Sequence, residues 1–516
     1  MQLTDGQFYR TAHARHPTDA IGIDGPNFVQ TGEGDVRSLG GRVVLPGLTD
    51  AHLHIFPLAM FRLQLDIASS GLRTVPNLIS ALREIPMDRR YGGWLQGAVL
   101  IEDTFEEKRL PTLSELDAAF PDNPVLLRRY CGHVAIMNTA AMTELGLIQS
   151  VPQTSNGAFQ RDPAGALTGH GDEGAAAWVF ARAPAPPDGL ILSEIRTILL
   201  SCLSFGLTSL VEAAVGFTLG YDREAAIWDK LRQSGELPVR LGFMNELTAP
   251  EAKARALKPA WDRDWSSETL KFFADGIIGG RTGALSVPYA DTGGLGDLMQ
   301  EPGELEQALT DAHNDGWRIA VHATGDRGID RVLSAIQSAQ GNGTSRRHRI
   351  EHFFVPPTDG LKRAARDNIT VVTQPGFLTR MGGSIARGLG ERRVNGCVYP
   401  GSIVLQAGAQ LVFSSDAPTG PSSPWVGICR AVDRMGEHGE PIGPKEALTR
   451  ADALNAYING GAWAMRHETF RGTLDPGMAA DLVVLNMDPF SVPLDELADC
   501  ACLFAIKNGK IVLDRL

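Results

Sequence analysis

Eight short apolar runs, each ending in polar residues and most separated by stretches of helix-like spacing, constrain the fold of this chain more than any other feature. They span residues 42–54, 207–214, 239–246, 269–276, 317–325, 348–354, 369–375 and 411–418. Strands that alternate with helices pair in parallel through right-handed crossovers, and eight such units close on themselves. The expected fold class is therefore α/β, a (β/α)8 TIM barrel. In that architecture, chemistry sits at the C-terminal ends of the strands. His52 and His54 close the first run, Lys271 lies on the fourth, His322 and His352 on the fifth and sixth, and Asp416 on the eighth.

Two regions fall outside the barrel pattern, whose own share is 43–89 plus 188–471. About 150 residues separate the first two runs, far beyond an ordinary connection. Residues 90–187 carry strands and helices of their own, at 94–101, 124–129, 112–119 and 135–145, and are expected to form an inserted α+β subdomain that roofs the site. Residues 1–42 and 472–516 hold short alternating strands, expected to meet in a composite β-sandwich.

The 516 residues include 43% hydrophobic and 21% charged side chains, ordinary for a globular protein. A net charge of −12 without a Lys/Arg block argues against nucleic acid or an anionic membrane as partner, and favours a small, neutral or weakly charged molecule. A homo-oligomer is compatible with these numbers. No apolar stretch approaches the ~20 residues of a membrane span, and the first ten residues lack the pattern of a secretory signal, so a cytoplasmic location is expected. The six cysteines are scattered and read as free thiols, and Asn342-Gly-Thr344 reads as a turn.

On a strand, side chains two apart share a face, so His52 and His54 can chelate one metal, with Asp50 behind them. His322 and His352 sit in apolar strands at matching depth and supply ligands for a second ion. Lys271 is flanked by Leu270, Phe272 and Phe273. Burial disfavours its ammonium form, and the free amine reacts with carbon dioxide to give a carbamate that can bridge two cations. The alternative is an ion pair with Asp275 or Glu246. Asp416 can bind a metal and accept a proton from water. The cofactor expected is one or two divalent ions, zinc by default, in a binuclear centre with a carboxylated lysine.

Several segments resemble the amidohydrolase superfamily, and within it the amidohydrolase-3 branch that includes N-substituted formamide deformylases and YtcJ-like proteins. They are LPGLTDAHLH (45–54), LKFFADGIIGGRTGALSVPYAD (270–291), VHATGDRGID (321–330), RIEHFF (349–354), FSSDAPTGPSSPW (413–425), LTRADALNAYINGGAWAM (448–465) and GTLDPGMAADLVVLNMDPF (472–490). The resemblance implies the barrel with its composite sandwich, and a centre built from His52, His54, Lys271 as the carboxylated bridge, His322, His352 and Asp416. It also implies His133, in a "GH…N" stretch, as a group that polarises the substrate carbonyl. Arg281, Tyr289, Phe377, Tyr399 and Trp425 lie on loops and are candidate substrate contacts.

The reaction expected is hydrolysis of an amide-type C–N bond of an N-acyl or N-formyl compound, with Asp416 as general acid/base. Esters, lactones and carbamates would use the same groups, as would a metal-dependent decarboxylase with another proton route. A deaminase of a heterocycle is disfavoured, because Ala-Thr-Gly follows His322 where a glutamate would stand. An inactive metal-binding scaffold has no need of the intact Asp416.

Overall fold

The computed structural model describes residues 1–516 except positions 15, 69, 131, 133, 155, 156, 236, 342 and 344, and the side chain at 103. His133 and the Asn342-Gly-Thr344 turn thus lie outside the described residues. The chain forms two compact units. One comprises Met1–His54, Leu199–Val215 and Gly235–Leu516; the other comprises Ile55–Ile198 and Gly216–Ser234.

The first unit contains the eight-stranded parallel sheet that the sequence pattern requires. Its strands are β1 (Leu48–Leu53), β2 (Leu207–Val215), β3 (Arg240–Asn245), β4 (Trp265–Phe273), β5 (Arg318–Ala323), β6 (Arg349–His352), β7 (Thr370–Thr373) and β8 (Leu411–Phe413), paired in sequential order. Beyond the ladders, the Asp416 amide donates to the His52 carbonyl (2.8 Å) and the His54 amide to the Ala417 carbonyl (2.8 Å), which draws the last strand to the first and nearly closes the barrel. β1, β2, β3, β5, β6, β7 and β8 are buried along their whole length. Covered on both faces, such strands read as near-continuous apolar runs rather than alternating ones.

Both termini of the same unit meet in a single seven-stranded sheet. Its order is Lys510–Asp514, Cys502–Lys507, Leu482–Leu485, Val36–Pro46, Gln2–Phe8, Thr18–Asp24, Asn27–Val29. Leu482–Leu485 pairs antiparallel with Val36–Pro46, so the strand leading into β1 belongs to this sheet up to Pro46. Leu3, Phe8, Phe28, Val44, Leu482 and Phe504 form its core. Arg240 at the base of β3 donates to Asp481 and Asn508, tying sheet to barrel through a buried ion pair.

The second unit is built on a six-stranded mixed sheet ordered Phe159–Arg161, Leu167–Asp172, Val134–Met137, Val125–Arg129, Leu95–Leu100, Leu65–Asp66. It starts earlier than the expected residue 90, because Leu65–Asp66 pairs in parallel with Leu95–Leu100. Helix Leu113–Ala119 forms as expected behind a Thr112–Glu115 capping box. The helix expected over 135–145 is corrected: Val134–Met137 is a strand paired with Val125–Arg129, and helix begins only at Thr139, where the Asn138 side chain caps it. An apolar run of four cannot be assigned by periodicity, and tertiary pairing decides it. Among the described residues, no helix is long and apolar enough to cross a membrane.

Candidate metal centre

Parallel pairing in register sets the depth of each candidate. Lys271 stands opposite Ala320, Phe273 opposite His322, His322 opposite Glu351, and Ala323 opposite His352. His52 from β1 and Asp416 beyond β8 are brought together by the closure bonds. The Asp416 Oδ1 atom lies 3.2 Å from His52 Nε2 and 3.1 Å from His54 Nε2. Ring centres are 5.4 Å apart for His52 and His54, 5.2 Å for His52 and His352, and 4.4 Å for His322 and His352. The six residues therefore converge at one end of the barrel.

The tightest subset is His52, His352 and Asp416, whose ligand atoms all lie within 4.8 Å of one another. The sequence reading grouped His352 with His322 for a second ion. In the fold, His352 is equally a neighbour of His52, because β6 and β1 face each other across the barrel mouth.

The imidazoles of His52, His352 and His322 are oriented from behind. His52 Nδ1 meets Glu351 Oε2 at 2.6 Å; an ionised carboxylate only accepts, so Nδ1 carries the proton and Nε2 offers its lone pair towards Asp416. Glu351 is in turn held by Arg349 at 2.6 and 2.9 Å. Burial by itself would raise the Glu351 carboxyl, but Arg349 and His52 hold it well below the usual carboxylate range. His352 Nδ1 donates to Gln374 Oε1 (2.9 Å), whose amide nitrogen donates to Ser414 (2.9 Å), leaving His352 Nε2 free to accept. His322 donates Nε2–H to the Gly276 carbonyl (2.9 Å), leaving Nδ1. Burial pushes the basicity of His352 down to about 4 and that of His322 well below the ordinary value, so both are neutral imidazoles, the form that ligates.

Asp416 would also be raised by burial; positive charge on the side of His52 and His54 holds it well below the usual carboxylate range. Among the described residues its Oδ1 and His52 Nε2 are buried without a hydrogen-bond partner, although they face each other. Two such lone-pair atoms converging without a proton between them are the mark of a cation site. Asp416 and His352 both adopt positive φ, 51° and 74°, a conformation that non-glycine residues rarely take outside functional turns.

Lys271 is buried beside the Phe273 ring, 5.1 Å from its centre. Burial pulls its pKa down to about 8. Among the described residues its amine forms no ion pair; Asp275 instead accepts backbone N–H groups from Ala284, Thr324 and Gly325 at 2.8–2.9 Å. Behind the histidines, Asp50 accepts from the Ser415 and His52 amides (3.0 and 3.3 Å).

The loop candidates divide. Phe377 stacks on His352 (6.2 Å, 18°), and Tyr399 lies against Phe377 and Phe354 with its hydroxyl unpartnered among the described residues. Arg281 is taken up by Asp291, Ser384 and the Ile278 and Gly279 carbonyls, so it braces its own loop. Tyr289 donates to Gly283 and Trp425 to Phe205, both side chains fully enclosed in packing. Sequence reasoning missed Arg349, Glu351 and Gln374 as orienting groups. The signal was present, since two charges on a wholly buried strand must be paired or bound.

Fold and centre together define a metal-dependent hydrolase. The model of the amidohydrolase family matches residues 35–513, and the chain belongs to that family. It is 29% identical to YtcJ of Bacillus subtilis (strain 168), over 93% of this chain and 90% of that one. To the N-substituted formamide deformylase of Arthrobacter pascens it is 25% identical, over 94% and 90% of the two chains. Its fold is similar to that of an uncharacterized metal-dependent hydrolase from Pyrococcus horikoshii OT3, with a TM-score of 0.78 and 25% identity over 96% of this chain and 99% of the other.

Proposed function

We propose that this hydrolase cleaves the C–N bond of a small N-acyl or N-formyl compound. The observation that carries the reading is the convergence of the unpartnered His52 Nε2 and Asp416 Oδ1 with His352 at the barrel mouth. His52, His54, His322, His352 and Asp416 would hold one or two divalent cations, zinc being the natural choice for imidazole-rich donors. Such a cation lowers the pKa of water and polarises the scissile carbonyl.

The chain's own groups do the rest. Ionised Asp416 accepts a proton from the attacking water and returns it to the leaving nitrogen, so that the amine departs neutral. Glu351 and Gln374 keep His52 and His352 in the tautomers that expose Nε2. The unpaired Lys271 amine, kept partly neutral by burial, is suited to carbamate formation, which would add an anionic ligand where only neutral imidazoles and one carboxylate converge. The Tyr399 hydroxyl, buried and with no partner among the described residues, is a donor for the carbonyl oxygen as it gains charge. The amide reading is supported by the relative named for deformylation of N-substituted formamides.

Metal content, and activity on N-formyl, N-acyl-amino-acid and lactone panels with and without chelator, test this. Asp416→Asn should keep part of the metal and lose activity by about 10³-fold; an active variant would require another base. Lys271→Ala should lose most metal and most activity, and normal values for both would remove the lysine from the centre.

A further inference from the structure

Six arginines are deeply buried among the described residues: Arg128, Arg240, Arg318, Arg349, Arg434 and Arg471. Five have hydrogen-bond acceptors for the guanidinium. Arg240 has Asp481 and Asn508, Arg318 the Arg347 and Ala464 carbonyls, Arg349 has Glu351, Arg434 the Val398 and Ile442 carbonyls, and Arg471 has His467 and Thr49. Arg128, only 7% exposed, has none among the described residues. It lies on strand Val125–Arg129 of the second unit, and its neighbour Arg129, pointing to the opposite face, is held by Glu102 at 2.5–3.0 Å.

The surroundings of Arg128 specify what is missing. Its guanidinium carbon lies over the Phe180 ring, 3.4 Å from the centre, and over Phe61 at 5.2 Å. Aromatic rings cover the flat faces of a guanidinium and stabilise its charge, but they accept nothing from the N–H groups around its edge. Those groups lie in the guanidinium plane as a fork, the geometry that matches the two oxygens of a carboxylate. Phe180 itself belongs to an apolar cluster with Trp94, Leu126 and Met137.

We propose that Arg128 is the anchor of an anion site in the second unit, which takes the carboxylate of a small organic acid with an apolar body, gripped edge-on by the guanidinium between Phe61 and Phe180. The burial of a charge without an acid partner is then the preparation of the site for a ligand that brings the acid. This goes beyond the hydrolytic reading and narrows the expectation of a small, neutral or weakly charged molecule drawn from net charge.

Benzoate, with benzamide as its neutral isostere, is a suitable probe for calorimetric titration of the full chain as purified. Benzoate should bind and benzamide should not, and Arg128→Met should weaken benzoate about tenfold or more. Arg128→Lys, which keeps the charge but loses the fork, should fall between. If the Met variant fails to fold, the Lys variant and the benzoate–benzamide pair carry the test. Equal binding of benzoate and benzamide, or benzoate binding unchanged by both substitutions, overturns the proposal, as does binding that a chelator abolishes, which would assign the anion to the metal centre. A bearing of the bound acid on turnover is read kinetically: benzoate alters turnover of a neutral N-alkylformamide in the wild type and not in Arg128→Met, and the same response in both would place the effect elsewhere. Benzoate binding does not require turnover, so this site and the hydrolytic reading fail separately.

Discussion

Arg349 in the barrel and Arg128 in the second unit are both buried guanidinium groups on the inner part of a sheet, and they are satisfied in opposite ways. Arg349 forms two bonds to Glu351, which passes its charge to His52 and so to the cation site. Arg128 has two ring faces and, among the described residues, no acceptor. Removing a charge from water costs several kcal/mol, which a close, hydrogen-bonded counter-charge offsets and ring faces offset only in part. The Arg349–Glu351 pair behind the barrel's histidines is thus completed internally, as a rigid metal cage requires, whereas the second unit leaves one charge incomplete, as a receptor for an outside group does.

Substitutions can break this contrast. The largest effect is expected from Glu351→Gln, which strands Arg349 and frees His52 to rotate: a loss of about 3–5 kcal/mol in denaturant unfolding, together with loss of metal. Adding Arg349→Met to that variant should recover a large part of the stability but not the metal, because the pair is then removed as a unit. A cycle without such recovery would mean that Arg349 matters for something other than its partner.

A smaller effect concerns pH. His313 and His348 touch at 3.0 Å, and His348 accepts the Ile319 amide, so both are held neutral. Burial lowers the His348 pKa well below its ordinary value and lowers that of His313, with Arg318, Arg346 and Arg466 opposing protonation of the pair. With folded values depressed, the unfolded chain takes up protons first on acidification. Their contribution is therefore complete above pH ~6.5 and declines below it, by up to about 1.4 kcal/mol per pH unit for each proton. Unfolding midpoints measured from pH 7.5 to 5 should fall, and His348→Gln should flatten the slope; an unchanged slope would remove the pair from the titration.

The smallest change is expected at Arg128 itself. In buffer free of organic anions, Arg128→Met should shift stability by no more than about 1 kcal/mol, or raise it, because no partner is left stranded. A loss comparable to that of Glu351→Gln would show that the guanidinium is already satisfied and would erase the contrast between the two regions.

Much of the barrel was legible before any coordinates. Seven fully buried parallel strands and a partly buried eighth, β4, cannot be written without eight apolar runs, and chemistry at their C-terminal ends places His52, Lys271, His322 and Asp416 in order along the chain. The segment from Val134 to Met137 was not legible, because a four-residue apolar run satisfies strand and helix equally until a neighbour pairs with it. Nor was the early start of the second unit, which hangs on two residues pairing in parallel across about thirty positions of chain.

At the site, residue type and spacing determined by themselves which groups are chemically able to act, because imidazole, amine and carboxylate have fixed donor properties wherever they stand. Only the tertiary structure decided their company. It set His352 beside His52, gave Glu351 to His52 and Gln374 to His352, enclosed Trp425 and Tyr289, bound Arg281 to Asp291, and left Arg128 without an acid. The reason is physical: the cost of a buried charge depends on atoms a few ångströms away, and those atoms come from strands hundreds of residues apart in the chain.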